Sequence, residues 1–437
     1  AENALASRYQ KLYAGAQVQF EGKTLTLPEL GPYKQDLNRA VRRAAFEAEG
    51  GFFDAHREEF DGIYSEMIEN RNAQGRALGY QDYVPLSYLR MGRLGYGPGE
   101  VESFRRQVAE SVTPLAARAM ADQFARVGIA DPKFYDGAIS FADGNPNPVG
   151  TAPELLAQAV RMYSELSPET AEFIRFMTEG GLFDLESRPG KAPGGYCETI
   201  PAYGAPFIFS NFNGTAGDVD VLTHEAGHAF QGWMAARQGL CQEMANPGLE
   251  SCEIHSMSME FLTSPWHKLF FGGSERTAAK YALSHAQEAL TFLPYGCMVD
   301  EFQHIVYAQP HLTPEERNRT WLELEHKYRP WNDFDGLPFY GRGAGWQRQL
   351  HIYEYPFYYI DYCLAQAVAL QFWAKIQQDR TDAWERYISL VKKAGTETFD
   401  QLVATAGLSS PFGDEGLAEV AKEASKWLSA FDQDKLK

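Results

Sequence analysis

Apolar residues recur every three or four positions along most of the 437-residue chain, which is the spacing of helices that bury one face. Capping residues or prolines stand at the starts of many of these segments. The first half contains predicted helices at 36–49, 59–78, 100–127, 153–166 and 168–179. The second half contains predicted helices at 274–292, 298–308, 314–328, 356–380, 383–394 and 416–431. The pattern therefore indicates a mainly α fold.

A β-hairpin is predicted near the middle of the chain. Residues 196–200 and 206–210 read as strands, with a turn near 202–205 between them. The segments 131–150 and 187–195 are rich in turn-forming residues and are expected to be loops. A strand edge beside a reactive site could bind a peptide in extended form. From the residues alone, a purely structural hairpin fits equally well.

The segment 223–230 contains the most informative motif, His224-Glu225-Ala226-Gly227-His228. Two histidines four positions apart share one face of a helix, about one turn from each other. Such a pair can bind one zinc ion, and the glutamate beside the first histidine can act as a general base on water that the zinc activates. This combination carries out amide hydrolysis.

The residues around the motif predict a buried helix. Thr215-Ala216-Gly217-Asp218 fits a capping box, which places the start of the helix there. Apolar residues between Val219 and Trp233 then supply a buried face. Gly239 is a natural stop after Arg237. The motif is therefore expected in the middle of a helix.

A third metal ligand is expected downstream, because a catalytic zinc ion usually has three protein ligands and an open position. A turn at 246–248 precedes a predicted helix on which Glu250, Glu253 and Glu260 share roughly one face. Carboxylates on an otherwise apolar face need a partner, and a metal ion is a good one. A solvated acidic stripe is the alternative. His255 points away from Glu253 and is expected in the core or behind a ligand.

Several segments match the motifs of one enzyme family: SNFNGT at 210–215, HEAGH at 224–228, EIHSMSME at 253–260, WQRQLHIYE at 346–354 and FYYIDY at 357–362. With them the chain resembles the thimet oligopeptidase and oligoendopeptidase F family of zinc peptidases. The likeness is strongest to its Pz-peptidase-type bacterial oligoendopeptidases, and it extends from the first residues to near the end.

The resemblance implies that His224, His228 and Glu253 ligate one Zn²⁺ per chain and that Glu225 is the general base. It also implies a zincin-type metallopeptidase of two lobes, with a deep channel for short peptides. We expect a helical lobe at 1–186 and a catalytic lobe at 187–437, with a soft boundary between them. Family members usually carry a further N-terminal helical region, which this chain is expected to lack.

Amide hydrolysis also needs a group that stabilises the tetrahedral oxyanion, and a neutral tyrosine hydroxyl suits that role. The resemblance places His351, Tyr358 and Tyr362 at the active site. Without the resemblance, the tyrosines fit a packed aromatic core equally well. Glu260 is a candidate to accept the second N–H of a zinc-binding histidine, although a helix-surface role fits as well.

Composition narrows the class of partner. The net charge of −18 argues against nucleic acid and anionic membrane surfaces. Five cysteines without a C-x-x-C pattern indicate reduced thiols in a cytoplasmic protein. The apolar stretch 355–373 contains Asp361 and several tyrosines, so it predicts a core helix and not a membrane span.

These observations predict a zinc-dependent endopeptidase that cleaves internal bonds of short peptides. A zinc carboxypeptidase or dipeptidase is the first alternative, because Arg342 or Arg348 could bind a terminal carboxylate. A catalytically inactive peptide-binding homologue is the second alternative. It would be marked by the loss of Glu225 or of a ligand, and all of these residues are present.

Overall fold

A computed structural model describes residues 1–188, 191, 194–393 and 395–436. Contacts between its residues divide the chain into two units. One unit comprises 1–145 and 290–360, and the other comprises 146–289 and the chain from 361 onward. The predicted division into lobes at 1–186 and 187–437 is a different one, and it stays a prediction.

Helices make up most of the N-terminal segment. Its α-helices are α1 (Glu2–Ala14), α2 (Gly31–Lys34), α3 (Arg39–Ala55), α4 (Arg57–Ala77), α5 (Val84–Arg90), α6 (Pro98–Gln107) and α7 (Thr113–Val127). Strands β1 (Val18–Phe20) and β2 (Lys23–Leu25) form an antiparallel pair. Stacked aromatic rings fill the core of this unit, among them Tyr9 on Tyr353 at 4.0 Å between ring centroids.

The second segment holds a small sheet between helices. Its elements are α8 (Ala152–Leu166), α9 (Pro168–Glu179), β3 (Phe183–Glu186), β4 (Tyr196–Ile200), β5 (Ala205–Phe212), α10 (Gly217–Ala236), α11 (Gln242–Ala245) and α12 (Leu249–Leu262). A long helix, α13 (Glu275–Ala308), follows.

The C-terminal part returns to helices throughout. They are α14 (Pro314–Tyr328), α15 (Pro338–Gly341), α16 (Leu350–Glu354), α17 (Tyr359–Gln378), α18 (Arg380–Val391), α19 (Phe399–Thr405) and α20 (Asp414–Ala430). The predicted mainly helical fold is therefore confirmed. Among the described residues, no helix has both the length and the apolar character needed to cross a bilayer.

The predicted hairpin is confirmed, and it belongs to a larger sheet. β4 pairs antiparallel with β5, with Cys197 opposite Ile208, and β5 also pairs parallel with β3. The strand order β3-β5-β4 leaves β4 at one edge. Sequence analysis missed β3, because four residues are too few to establish an alternating pattern. Of the predicted loop at 187–195, residues 189, 190, 192 and 193 lie outside the described part of the chain.

Several predicted helix boundaries are wrong, each for a local reason. The predicted break between 292 and 298 is absent, because α13 continues through Pro294. Buried neighbours such as Leu293 and Cys297 supply packing that outweighs one lost backbone hydrogen bond. The helix predicted at 100–127 is interrupted at Val108–Val112 by a π-helical turn, just before Pro114.

Two further corrections concern helix starts. α17 begins at Tyr359 and not at 356, because Phe357 has a left-handed backbone with φ +68°. α18 begins at Arg380, where the Asp379 side chain accepts hydrogen bonds from two backbone N–H groups. The end predicted for that helix, Ala394, lies outside the described residues.

Candidate active site

In the described part of the chain no side chain caps the start of the helix that carries the motif, so the predicted capping box is wrong. Ala216 precedes the first helical residue and has helical backbone angles. The carboxylate of Asp218 instead accepts hydrogen bonds from the backbone N–H groups of Asn213 and Gly214, at 2.9 and 2.8 Å. These bonds hold the chain between β5 and α10. The helix ends at Ala236, as the glycine at 239 predicts.

His224 and His228 lie on one face of α10, and Glu253 of α12 lies opposite them. The Nε2 atoms of His224 and His228 are 3.2 and 3.4 Å from Oε2 of Glu253. One ligand atom from each of the three side chains lies within 4.8 Å of the other two. We call these three residues the metal triad.

The spacing of the metal triad fits a single zinc ion. Ligand atoms at about 2.0–2.1 Å around a tetrahedral zinc ion lie roughly 3.4 Å from one another. The two measured N–O distances are close to that value. Two imidazoles and one carboxylate are also donors that zinc accepts in catalytic sites. Position and chemistry of the donor set therefore fit the metal that the sequence predicts.

Glu225 lies beside the metal triad on α10. Its side chain is buried, with 7% of the residue exposed, and its Oε2 has no hydrogen-bond partner among the described residues. Burial raises the pKa of this carboxyl above its ordinary value. An unpaired buried oxygen is costly unless something absent from the protein itself, such as water, binds there.

Glu260 of α12 contacts the outer nitrogen of His224. Nδ1 of His224 donates to Oε1 of Glu260 at 2.7 Å, which leaves Nε2 of His224 on the side of Glu253. This contact has the geometry predicted for a carboxylate that orients a metal-binding histidine. Burial alone would lower the pKa of His224, but the hydrogen bonds with Glu253 and Glu260 raise it well above the ordinary value.

Other residues of α12 have structural positions. The three glutamates predicted to share one acidic face are separated in the structure, because the carboxylate of Glu250 lies over Gly248 at the start of its own helix. His255 is fully buried, its carbonyl accepts from Tyr387, and burial lowers the pKa of its ring to about 3. It is the core histidine that the sequence indicates. Cys252 contacts the carbonyl of Pro247 and is not in the metal triad.

The three residues predicted to stabilise the oxyanion fall in different units. Tyr362 lies near the start of α17 in the second unit, which also contains the metal triad and Glu225. His351 and Tyr358 belong to the first unit. There, Nδ1 of His351 lies 2.9 Å from Nε2 of Gln349, and its ring lies 5.8 Å from that of Tyr358. Their catalytic roles stay predictions.

His285 of α13 lies near the metal triad and was missed by sequence analysis. Its Nε2 donates to Oε2 of Glu260 at 2.7 Å. The available signal was weak, because a single histidine on a largely buried helix is usually a core residue. Only the packing of α13 against α12 brings it to Glu260.

Fold and site together define a helical protein in which two packed helices present two histidines and one glutamate to a single point. The family model described as peptidase family M3 matches residues 156–422, which is more than half of the chain. The chain belongs to this family. The resemblance found in its motifs is thereby confirmed.

Curated relatives agree with this assignment. The chain is 24% identical over 274 residues to oligopeptidase PepF of Bacillus subtilis (strain 168), covering 60% of this chain and 39% of that protein. It is 25% identical over 238 residues to an oligoendopeptidase F homolog of Borreliella burgdorferi, covering 52% and 39%. The chain thus spans about two fifths of the length of these relatives.

Solved structures are more similar. Pz peptidase A, solved with an inhibitor, superposes with a TM-score of 0.95 at 47% identity, over 99% of this chain and 76% of that one. A putative oligoendopeptidase F from Bacillus anthracis str. Ames superposes with a TM-score of 0.88 at 44% identity, over 100% and 75%. These matches support the helical fold described above over the full chain.

Proposed function

We propose that this chain is a zinc-dependent endopeptidase of the zincin type that hydrolyses internal bonds of short peptides. The convergence of His224 Nε2, His228 Nε2 and Glu253 Oε2 carries the proposal. Membership in peptidase family M3 supports it, as do relatives described as an oligopeptidase and as oligoendopeptidases F.

The metal triad would hold one zinc ion. When bound, zinc supplies a Lewis acid that makes water acidic enough to attack at neutral pH and polarises the scissile carbonyl. Glu260 keeps the proton of His224 on Nδ1 and so keeps Nε2 available as a ligand. Ser256 donates to Oε2 of Glu253 at 2.9 Å and fixes the orientation of that carboxylate.

Glu225 would take the proton of the attacking water and pass it to the amine that leaves. A general base has to lie within hydrogen-bond reach of its proton and must not be occupied by another donor. Glu225 follows His224 directly in the chain, and its Oε2 has no hydrogen-bond partner in the described part of the protein. Its burial raises the pKa of the carboxyl, which makes the carboxylate a stronger base.

The edge strand β4 would hold the substrate. It runs at the edge of its sheet, and its inner face packs on α10, where Thr199 contacts Gly232. Gly195, directly before β4, lies close to Glu225: a Cβ there would be 3.7 Å from Oε1 of Glu225. A peptide added to this edge in extended form would therefore pass the general base.

Oxyanion stabilisation by His351, Tyr358 and Tyr362 is part of the same proposal. Tyrosine hydroxyls remain protonated at neutral pH and can donate to a developing negative charge. The support for these three residues is the resemblance of the segments 346–354 and 357–362 to family motifs.

We place the activity in the cytoplasm, because the five cysteines are free thiols.

The rival carboxypeptidase or dipeptidase needs a cation for the terminal carboxylate of its substrate. Of its two candidates, Arg342 already pairs with Asp54 at 2.7 Å. The guanidinium of Arg348 lies over the ring of Tyr340 and interacts electrostatically with the carboxylate of Glu49. Both cations therefore have partners within the protein, which favours an endopeptidase.

A library of short peptides, half of them amidated at the C-terminus, tests the proposal. The protein is incubated with the library, and products are identified by mass spectrometry. An endopeptidase cleaves amidated and free peptides at the same internal bonds, whereas a carboxypeptidase leaves the amidated half intact. A chelator should abolish cleavage and added zinc should restore it. Cleavage that persists in the chelator would refute the zinc mechanism.

A further inference from the structure

A single carboxylate joins the metal triad to a second buried histidine. Oε1 of Glu260 accepts from Nδ1 of His224, and Oε2 accepts from Nε2 of His285, both at 2.7 Å. The side chains of Glu260 and His285 are 12% and 10% exposed. Both oxygens of the carboxylate thus have a histidine donor, and the carboxyl plane is fixed between two rings.

The neighbouring turns of the same helices are also joined. Tyr281, one turn before His285 on α13, donates to the carboxylate of Asp220, which lies one turn before His224 on α10. The rings of Tyr281 and His285 stack at 5.7 Å between centroids and 11° between planes. Asp220, His224, Glu260, Tyr281 and His285 therefore close a ring of contacts across α10, α12 and α13, which we call the His285 network.

Charge within the His285 network supports this arrangement. Burial alone would lower the pKa of His285, but its hydrogen bond to Glu260 raises that pKa to about 9. Glu260 and His285 therefore form a buried ion pair at neutral pH. A buried ion pair holds its geometry firmly, because losing one partner leaves an uncompensated charge.

We propose that His285 is a positioning residue of the metal site, which holds Glu260 so that Glu260 in turn fixes the ring of His224 toward the metal. The inference rests on the proposed function, since it requires His224 to be a zinc ligand. His285 and His224 donate to the two oxygens of the same carboxylate, so the effect of His285 on the metal triad passes through Glu260. Residues that contact a metal-binding histidine from behind, as Glu260 does here, set the orientation of its ring and its basicity.

The direct test is the affinity for zinc, measured by competition with a chromophoric chelator. His285→Phe keeps an aromatic ring to pack on Tyr281 and Phe261 but cannot donate to Glu260. We expect it to weaken zinc binding about tenfold. His285→Gln keeps an N–H donor and should recover part of that loss. The visible spectrum of the cobalt-substituted protein, which reports ligand geometry, should change in His285→Phe and less in His285→Gln.

His267 provides a matched control. It is buried, its ring lies 4.9 Å from the same Tyr281, and its Nε2 forms a hydrogen bond at 3.1 Å with Thr263, the residue directly after α12. Its ring interacts with the backbone of Glu260, whereas the donors to the Glu260 carboxylate in the described part of the chain are His224 and His285. His267→Phe therefore makes a comparable change in packing without removing a donor from that carboxylate. We expect His267→Phe to bind zinc as the wild type does, with the same cobalt spectrum.

The outcomes separate this inference from the proposed function. Zinc binding by His285→Phe at wild-type affinity, or an equal loss in His267→Phe, would overturn the role of His285 and leave the peptidase proposal intact. A wild-type protein that binds no zinc would overturn both. Should His285→Phe fail to fold, His285→Gln is compared with the wild type, and an unchanged zinc affinity together with an unchanged cobalt spectrum would overturn the role of His285. The same unchanged result in Glu260→Gln would refute the path through Glu260.

Discussion

Gly227 on α10 lies so close to Ser256 on α12 that a Cβ added to the glycine would be 2.6 Å from Cα of Ser256. The carbonyl oxygen of His255 would be equally near. Cβ atoms do not approach backbone atoms this closely, so glycine is required here. Gly227 directly precedes His228, and Ser256 lies one turn after Glu253. This contact therefore fixes the register in which the metal triad meets.

Gly227→Ala is expected to force α10 and α12 apart. Overpacking against a rigid backbone costs about 1–3 kcal/mol of the free energy of unfolding. Because the same displacement separates Glu253 from the two histidines, zinc affinity should fall as well. Urea denaturation and a zinc competition assay measure the two effects.

Gly62→Ala is the control for that substitution. Gly62 lies inside α4, and a Cβ there would have no neighbour within 4 Å among the described residues. Alanine is favoured over glycine in a helix by about 0.5–1 kcal/mol, so this variant should be as stable as the wild type or more so. If both substitutions have the same effect, the close approach at Gly227 does not fix the site.

Glu225→Gln is expected to keep zinc and lose turnover. The amide preserves the size of the side chain but cannot accept the proton of the attacking water. Loss of a general base should reduce kcat about 10²- to 10⁴-fold. Metal content by mass spectrometry and cleavage of a fluorogenic peptide are the two measurements. Wild-type-like cleavage by the zinc-loaded variant would refute the assignment of Glu225.

Tyr362→Phe tests the oxyanion prediction. Removing one hydroxyl donor should lower kcat about 10²- to 10³-fold while KM and zinc content stay near their wild-type values. Tyr355→Phe is the matched control, because Tyr355 is 55% exposed and has no predicted role. The same assay on His351→Gln and Tyr358→Phe ranks the three candidates. Equal kcat in Tyr362→Phe and Tyr355→Phe would remove Tyr362 from the mechanism.

Acid should destabilise the first unit through Asp136. Its side chain is buried and accepts from Arg39 and Arg42 at 2.6 and 2.7 Å. Burial would raise its pKa, but the two arginines lower it below the ordinary 3.8. A carboxyl with a lowered pKa in the folded state stabilises the fold above its unfolded pKa and loses that contribution as the pH falls through the folded value.

Asp136→Asn is therefore expected to reduce the free energy of unfolding at neutral pH and to flatten its fall below about pH 4. Urea denaturation at a series of pH values gives both quantities. Asp122→Asn, at an exposed position of α7, is the control and should follow the wild-type curve. A slope below pH 4 as steep in Asp136→Asn as in the wild type would contradict the prediction.

Local patterns in the sequence were sufficient where structure depends on near neighbours. Helices α9 and α14 begin and end as predicted, at Pro168–Glu179 and Pro314–Tyr328, because a proline and a capping residue mark each start. The hairpin at β4 and β5 was likewise predicted from alternation and a turn. Pro294 misled the same reasoning, because packing from distant parts of the chain keeps α13 continuous there.

The sequence by itself determined the mainly helical fold, the placement of His224 and His228 on one helix face and the place of Glu225 beside them, because helical spacing fixes which side chains share a face. The same spacing gave the glutamates of the next helix as candidates for a third ligand, and the family resemblance selected Glu253 among them. The tertiary structure decided how separate helices meet. It alone brought Glu253 to the two histidines, put Glu260 on His224 and added His285 from a third helix. The physical reason is that such contacts depend on close packing between elements distant in sequence, as at Gly227, and no local pattern encodes those distances.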